Sequence, residues 1–481
     1  MNYRMIFSTI GKVILIEAGL LLLPLITALC YGEWMVAGCF GITALIAFSV
    51  FVVCKILFKP KSKIIFSKEG LVTVSLAWIL ISLIGCIPFM LTKEIPAFQD
   101  ALFETVSGVT TTGASILTDV ESLSHGSLLW RSFLHWIGGM GILVFVIAFT
   151  NKDTDRSIHV LRAEMPGPTV DKLVPRARDT AKILYLIYVV MTVMLLILLL
   201  FGGMPFFDSL LHAVGTAGTG GFGIKNDSLA GYSDFCQWVI AIFMILFGIN
   251  FNLYYLILLK KFTVVFKSGE LWAYLGIIGV SVAIITGNIF ATCNGFFEAL
   301  KHSTFQVASI ISTTGFSTVN FDTWPTLSKT ILFALMFIGG CAGSTAGGFK
   351  VSRVVLISKN IKRELKRVLH PRTTGVIKFN GKRVEETTIN GVTGYLALYV
   401  VCIALITLVL SFESFNLETN FSAAVSCFNN IGPGFSTVGP VCNYSLYSPF
   451  SKIVLTLSML LGRLEIYPIL LTLLPNTWIK K

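Results

Sequence analysis

Long apolar segments alternate with short polar or basic segments along the whole chain. A membrane-spanning helix needs roughly 20 mostly apolar residues. Segments of this length and character occur ten times, at residues 8–31, 35–57, 71–92, 130–149, 181–202, 237–259, 271–293, 329–349, 390–412 and 450–474. The pattern predicts an all-α integral membrane protein with ten spans.

Shorter, half-apolar pieces lie between these spans at residues 98–115, 206–223, 296–318 and 420–439. Each is too short to cross the membrane and return as two helices, and each ends in a run rich in glycine or hydroxyl side chains. Irregular backbone at membrane depth is tolerated only where it is buried in protein or lines water. We therefore predict four re-entrant segments, each a half-helix followed by a turn.

The basic residues predict how the chain is oriented. Connections rich in Lys and Arg lie at 55–68, 152–182, 260–267 and 350–383, whereas the stretches after the four re-entrant pieces hold a single Lys, Lys225. Cytoplasmic loops of membrane proteins carry an excess of Lys and Arg. Both termini are therefore predicted to be cytoplasmic, and the re-entrant segments to enter from outside.

The order span, half-helix, glycine-rich turn, span occurs four times in the same orientation. The predicted units are 69–151, 180–262, 269–369 and 388–481, preceded by two transmembrane helices within 1–60. A transporter built on inverted repeats would need halves of opposite orientation. The predicted fold is therefore four parallel helix–pore loop–helix repeats around one central pore, as in potassium channels, with two extra amino-terminal helices.

The composition agrees with a membrane protein and argues against other classes. Of 481 residues, 54% are hydrophobic and 13% are charged, and the mean hydropathy is +0.80. The net charge of +12 lies in short runs between apolar segments, which is typical of membrane loops rather than of a nucleic-acid-binding surface. The ten cysteines form no CxxC pair, so no metal site or disulfide framework is indicated. No His, Asp or Cys grouping at membrane depth suggests an enzyme.

The four turns carry the residues best suited to bind a cation. A dehydrated cation needs oxygen ligands from several directions, and backbone carbonyls supply them without net charge. Glycine lets the backbone reach φ > 0 without steric cost, and the carboxy-terminal ends of half-helices favour a positive ion. Four matching turns favour this interpretation over simple close packing of small residues. The turns are Thr111-Thr112-Gly113, Thr219-Gly220-Gly221, Thr313-Thr314-Gly315 and Asn430-Ile431-Gly432.

The sequence resembles the TrkH/KtrB/HKT superfamily of cation uptake proteins, and within it the bacterial TrkH branch. The resemblance covers the whole chain and rests on FETVSGVTTTGAS (103–115), HWIGGMGILV (135–144), STTGFST (312–318), IGGCAGSTAGGFK (338–350), NNIGPGFSTVGP (429–440) and LGRLEIYP (461–468). It implies potassium uptake across the bacterial cytoplasmic membrane, with one filter glycine per repeat: Gly113, Gly220 or Gly221, Gly315 and Gly432. In the second repeat, aligning Asp208 with Asp100 favours Gly221, whereas matching a Thr-Gly pair favours Gly220.

Two features point to gating. The segment 339–348 interrupts the predicted span 329–349 with poor helix formers, and the resemblance implies an intramembrane gating loop there, with Gly339, Gly340, Gly343, Ser344, Thr345, Gly347 and Gly348. Arg463 lies within the span 450–474, where a cation facing lipid is costly. We expect it to face the pore and to bind the loop backbone or Glu465, or to raise an electrostatic barrier; a structural salt bridge is the alternative.

Four other side chains have less specific predicted roles. His135 and His212 flank the turns, and a packing or hydrogen-bonding role is favoured over proton relay. Glu104 and Glu298 are predicted to cap the positive ends of their half-helices.

The resemblance also implies partners. The expected assembly is a homodimer in membrane lipid, each chain with its own pore, seated on a cytosolic ring of TrkA-like nucleotide-binding subunits. The chain has no glycine-rich dinucleotide fingerprint after a strand, so ATP or NAD would act only through that partner, and no covalent cofactor is expected. The basic loops 152–182 and 350–388 are candidate docking surfaces. The alternative function is a sodium- or proton-coupled potassium symporter, which the scarcity of acidic residues along the predicted path disfavours.

Overall fold

The computed structural model describes residues 1–59, 66–141, 177–371 and 375–478. These ranges are mostly helical. The first helices are α1 Tyr3–Leu20, α2 Leu22–Cys30, α3 Trp34–Leu57, α4 Ser67–Gly85, α5 Ile87–Leu91, α6 Phe98–Val109 and α7 His125–Gly139. The next are α8 Ala177–Phe201, α9 Phe206–Gly218, α10 Asp234–Phe247, α11 Phe251–Leu258, α12 Phe262–Phe266, α13 Gly269–Ile289, α14 Phe296–Ile311 and α15 Thr326–Met336. The last are α16 Val351–Leu369, α17 Glu386–Leu410, α18 Leu417–Asn429, α19 Pro449–Arg463, α20 Tyr467–Leu473 and α21 Pro475–Trp478. Short 3₁₀ turns lie at Phe290–Thr292, Phe321–Thr323 and Ser436–Val438.

Six of the ten predicted spans are confirmed as long apolar helices within the described ranges: Tyr3–Cys30, Trp34–Leu57, Lys68–Leu91, Asp179–Phe201, Gly269–Thr292 and Glu386–Leu410. Their outer faces expose large apolar side chains such as Leu45, Leu186 and Leu408. Exposed apolar surface on this scale suits lipid rather than water. The protein is therefore a multi-pass membrane protein with an all-α fold.

The predicted spans 237–259 and 450–474 are bent rather than straight, whereas the predicted span 329–349 is interrupted as expected. The helix pair α10 and α11 bends by 92°, and α19 and α20 bend by 120°. The predicted span 329–349 is helical only to Met336, after which the chain forms a loop. Residues 142–149 of the first repeat's second span lie outside the described residues.

The half-helices α6, α9, α14 and α18 confirm the four predicted re-entrant segments, and their packing closes a ring. Each half-helix is contacted by the second helix of the repeat before it: α7 packs on α9, α10 on α14 and α15 on α18. The helix α19 of the fourth repeat then packs on α6 of the first. Helices α1, α2 and α3 lie outside this ring against α4 and α7.

The end of the third repeat and the connection after it have an exposed surface of mixed basic and apolar character. Helix α16 exposes Ile361, Leu365 and Val368 next to basic side chains, and it ends before a short hairpin of β1 Lys378–Phe379 and β2 Lys382–Arg383. The hairpin pairs Lys378 with Arg383 and Phe379 with Lys382. Asn380 and Gly381 turn it with φ of 49° and 79°, the backbone that Asn-Gly turns favour.

Candidate cation pathway

Each half-helix ends in the same way. Thr111, Thr219, Thr313 and Asn430 adopt left-handed φ values of 57°, 55°, 55° and 57°. In each case the N–H of this left-handed residue donates to the carbonyl three residues earlier in the chain. The N–H of the residue that follows it donates to the carbonyl five residues earlier than itself. A threonine at positive φ is strained and persists only where its surroundings hold it. The repetition of this strained turn gives a common reference point in all four repeats.

This reference point fixes the register of the second repeat. Two residues after the left-handed residue stand Gly113, Gly221, Gly315 and Gly432, so Gly221 is the counterpart of the other three. Gly220 is one position earlier, where a Cβ atom would collide with the His135 ring. The geometry therefore agrees with the alignment of Asp208 with Asp100, which places Gly221 opposite Gly113.

The four aligned glycines form a closed ring. A Cβ atom on Gly113 would lie 2.7 Å from the Gly221 nitrogen, and one on Gly221 would lie 2.9 Å from the Gly315 Cα. A Cβ atom on Gly315 would collide with the Ile431 carbonyl oxygen, and one on Gly432 would lie 2.7 Å from the Thr112 carbonyl oxygen. The repeats thus meet backbone to backbone, which only glycine permits. The φ values of Gly113, Gly315 and Gly432, at 78°, 91° and 103°, need glycine as well.

Hydrogen bonds between repeats hold the ring. The Asn430 Nδ2 atom donates to Thr112 Oγ1 at 3.0 Å and to the Met459 carbonyl at 3.0 Å. His135 Nδ1 lies 2.8 Å from the Gly108 carbonyl, and His135 Nε2 accepts the Phe222 N–H at 3.3 Å. His135 therefore links the first and second turns, as its predicted hydrogen-bonding role requires.

The prediction for Glu104 is wrong. It lies in the second turn of α6, fully buried, and accepts from Arg131 Nε at 2.5 Å and from the Ile116 N–H at 3.0 Å. Arg131 also donates to the Gly223 carbonyl at 2.9 Å. The pair braces the outer backbone of the first two turns instead of capping a helix. Sequence spacing gave no signal of it, because the partners are 27 residues apart on different helices.

Glu298 does act near a helix start. Its Oε2 accepts the Asn294 N–H at 2.8 Å, just before α14 begins. A carboxylate there satisfies a free backbone donor and suits the positive end of the helix dipole. The predicted capping role of Glu298 is confirmed.

The glycine-rich segment predicted as a gating loop is a non-helical loop directly beneath the ring. Its two ends meet, because the Lys350 N–H donates to the Ile338 carbonyl at 2.8 Å and the Val351 N–H donates to the Gly340 carbonyl at 3.0 Å. Near its carboxy-terminal end, the Gly347 N–H donates to Thr313 Oγ1 at 2.6 Å. The loop therefore contacts the inner side of the third turn. Its predicted interruption of the helix is confirmed.

The loop also explains the bend between α10 and α11. The break leaves backbone groups of residues 247–251 without helical partners, and the loop supplies them. The Phe251 N–H donates to the Gly343 carbonyl at 3.0 Å, the Gly248 carbonyl accepts the Cys341 N–H at 2.9 Å, and the Phe247 carbonyl accepts from Thr345 Oγ1 at 3.2 Å. A broken helix is stable in a membrane when neighbouring protein satisfies its backbone in this way.

Arg463 lies at the carboxy-terminal end of α19 and holds the loop. Its Nη1 donates to the Thr345 carbonyl at 2.9 Å, and its Nη2 donates to the Gly138 and Gly139 carbonyls at 2.6 Å and 2.9 Å. The predicted contact with the loop backbone is confirmed. Glu465, the alternative partner, accepts a hydrogen bond from Arg353 at 2.7 Å.

Two buried ionisable residues near the loop were not among the predicted site residues. Lys350 is 2% exposed and donates through Nζ to the Ala346 carbonyl. Glu270, on α13, is 5% exposed and accepts the Ala342 N–H at 2.7 Å. Both side chains therefore bind backbone groups of the loop. Lys350 falls within the quoted IGGCAGSTAGGFK motif, so its position was a usable signal, whereas Glu270 is 72 residues away in sequence.

Cavities lie on both sides of the ring and differ in size. The cavity on the side of the ring away from the loop has a volume of about 170 Å³ and is lined by all four ring glycines, together with polar residues such as Arg131 and Asn226. The cavity on the loop side of the ring has a volume of about 40 Å³ and is lined by Gly347, Arg463 and Trp78. The loop and Arg463 thus leave little free space directly beneath the ring. The ring therefore has a larger cavity on one side and a constriction on the other, where the loop and Arg463 lie.

Comparisons with known proteins agree with this architecture. The TrkH family model, described as cation transport protein, matches residues 40–276 and 262–478. The chain is 35% identical to the Trk system potassium uptake protein TrkH of Salmonella typhimurium, over 99% of this chain and 100% of that protein. It is 34% identical to the protein of the same name from Escherichia coli K12, with the same coverage.

A solved structure also matches over the whole length. The crystal structure of the potassium transporter TrkH from Vibrio parahaemolyticus superposes with a TM-score of 0.89 and 29% identity, covering 100% of both chains. The family model and the full-length relatives agree with one another and with the ring of four half-helices. The chain therefore belongs to the TrkH family of cation transport proteins.

Proposed function

We propose that this protein takes up potassium across the cytoplasmic membrane of a bacterium. The ion passes inward through the ring formed by the turns at 111–113, 219–221, 313–315 and 430–432. The observation that carries the proposal is the repeated left-handed turn followed by a ring glycine. In this proposal the uncharged carbonyl oxygens of the four turns face the ion, and such oxygens can replace the hydration shell of a monovalent cation. Full-length relatives named as potassium uptake proteins support the choice of ion.

The loop 339–348 acts as the gate. Its contacts with Thr313 and Arg463 hold it beneath the ring, and its glycines allow it to change conformation at low cost. Opening requires that these hydrogen bonds be broken or exchanged. Arg463 also places a positive charge on the inner path, which opposes a cation while the loop is in place.

Control of the gate comes from a cytosolic partner. The protein works as a homodimer with cytoplasmic termini, seated on a ring of nucleotide-binding subunits. Helix α16 begins directly after the gating loop and presents basic and apolar side chains on its surface, which supports docking there. Of the other candidate docking segment, 152–182, residues 152–176 lie outside the described residues.

Growth and flux measurements test the proposal. The protein is expressed in cells that cannot grow on low potassium, and growth is compared with that of cells carrying Gly315→Ser. The substitution places a Cβ atom against the Ile431 carbonyl at a φ of 91°, so potassium uptake and its preference over sodium should both fall. Gly203→Ser is the matched control, because Gly203 has a similar φ of 82° but nothing within 4 Å of a Cβ atom. Unchanged potassium uptake and selectivity in Gly315→Ser would remove the ring from the pathway.

A further inference from the structure

A second cavity lies away from the pore, between the amino-terminal helix α1 and helices α4, α7 and α8. Its volume is about 210 Å³. Among the described residues that line it, Glu17 carries the single carboxyl group, and the others are aliphatic or aromatic. The aromatic walls are Trp130, Trp136 and Tyr185. The cavity is therefore an apolar chamber with one ionisable group.

Glu17 is buried and has no hydrogen-bond partner among the described residues. Its side chain is 4% exposed, and within the described part of the chain neither carboxyl oxygen has a hydrogen-bond partner. It lies beside the Trp130 ring, because a Cβ atom on Gly85 would be 3.5 Å from Glu17 Oε1 and 3.6 Å from Trp130 Cζ2. Buried polar atoms in native proteins nearly always have partners, so an unsatisfied carboxyl needs an explanation.

The aromatic side chains present only their rings to the cavity. Their polar atoms are bound elsewhere: Trp130 Nε1 donates to the Gly85 carbonyl at 3.0 Å, Trp136 Nε1 to Thr192 Oγ1 at 3.3 Å, and Tyr185 Oη to the Gly141 carbonyl at 3.0 Å. They offer Glu17 no hydrogen bond in this arrangement. Since no described residue supplies a donor to Glu17, a molecule in the cavity can satisfy the carboxyl.

The chemistry of the walls identifies that molecule. A bare inorganic cation needs several oxygen ligands, and a single carboxyl cannot replace its hydration shell. An organic ammonium group needs fewer, because it brings its own apolar surface, donates N–H bonds to the carboxyl and is attracted to the faces of aromatic rings. We propose that this cavity binds a small lipophilic primary or secondary amine, with its nitrogen at the Glu17 carboxyl and its apolar part among Trp130, Trp136 and Tyr185.

The size and position of the cavity fit such a ligand. A dry protein cavity of about 150 Å³ holds a benzene molecule, so this one has room for an aryl methylamine. Ile16 and Leu20, which line it from α1, are partly exposed on the lipid side. An amine dissolved in the membrane therefore has a short route into the chamber.

Binding of a fluorinated benzylamine to the purified full-length protein in lipid nanodiscs tests the proposal. Fluorine NMR measures the bound fraction, with empty nanodiscs as the background. Wild-type protein should bind one equivalent per chain, and Glu17→Gln should weaken binding by roughly tenfold or more, as expected for loss of a charge-assisted hydrogen bond. Glu385→Gln, a change at an exposed glutamate far along the chain, should bind like wild type.

A second variant and a neutral competitor separate the carboxyl from the cavity itself. Ile81→Phe fills the chamber while keeping Glu17, so it should abolish saturable binding. Benzyl alcohol, which has the same ring but no cationic nitrogen, should compete far more weakly than unlabelled benzylamine. The proposal is overturned if wild-type protein shows no saturable binding above empty nanodiscs, if Glu17→Gln binds as tightly as wild type, or if benzyl alcohol competes as well as the amine.

Discussion

The hydrogen bond from the Gly347 N–H to Thr313 Oγ1 joins the proposed gating loop to the ring, and Thr313→Val removes its acceptor while keeping the side-chain shape. A net hydrogen bond contributes about 0.5–1.5 kcal/mol, and a buried N–H left without a partner costs about 1–3 kcal/mol. If the loop must leave Thr313 to open, the closed state loses roughly 1.4 kcal/mol, which is about tenfold in the open-to-closed ratio. Basal potassium flux into proteoliposomes without a regulatory partner should therefore rise by up to about tenfold.

Thr111→Val is the matched control for this experiment. Thr111 occupies the same position in the first repeat, with φ of 57° against 55° for Thr313. Its hydroxyl has no hydrogen-bond partner among the described residues. Both variants lose a hydroxyl at the same level of the ring, so any effect on ion binding should be similar. Only Thr313→Val should release the loop.

The two fluxes decide whether the contact restrains the gate. A basal flux in Thr313→Val no higher than that in Thr111→Val would refute the reasoning. An equal rise of basal flux in both variants is also a refuting result, because the rise would then come from loss of a hydroxyl in the ring and not from release of the loop. Potassium-to-sodium flux ratios measured in the same vesicles show whether the ring itself has changed.

Three further predictions follow from the contacts described. Arg131→Met leaves the buried Glu104 without its charged partner, so the free energy of unfolding should fall by about 3–5 kcal/mol, measured as a lower melting temperature. Adding Glu104→Gln should restore part of the lost stability, and an unchanged melting temperature in the single variant would contradict the bracing role. Uptake should persist when the proton and sodium gradients are clamped at zero, since the pathway is proposed as a channel; arrest under the clamp would favour the symporter. Charge reversal on α16 should weaken docking of the nucleotide-binding partner in a pull-down assay and blunt the nucleotide response, and unchanged docking would exclude this surface. Because Arg363 is held by Glu386 at 2.5 Å, the reversal is made at exposed neighbours: Lys362, Lys366 and Arg367.

Local sequence patterns predicted the half-helices and their turns. Each half-helix is too short to span a membrane, and each is followed by residues that break a helix, so length and composition were sufficient. The same reasoning did not predict the sharp bends in the second spans of the second and fourth repeats. Apolar composition indicates burial in the membrane, but it does not show where a neighbouring backbone approaches. At Gly138 and Gly462, for example, a Cβ atom would collide with the carbonyls of Val109 and Phe428.

The sequence by itself determined that this is a membrane protein of four similar units, because hydrophobic length, charge asymmetry and repeated glycine turns are all local properties. Only the tertiary structure decided which glycine of the second repeat belongs to the ring, since a one-residue choice depends on the hydrogen bonds of Thr219 and the space around His135. It also decided that Arg131 pairs with Glu104, and that Glu17 has no hydrogen-bond partner among the described residues. Whether a charged side chain has a partner depends on residues that are distant in sequence but close to it in the folded protein. A local sequence pattern therefore cannot show it.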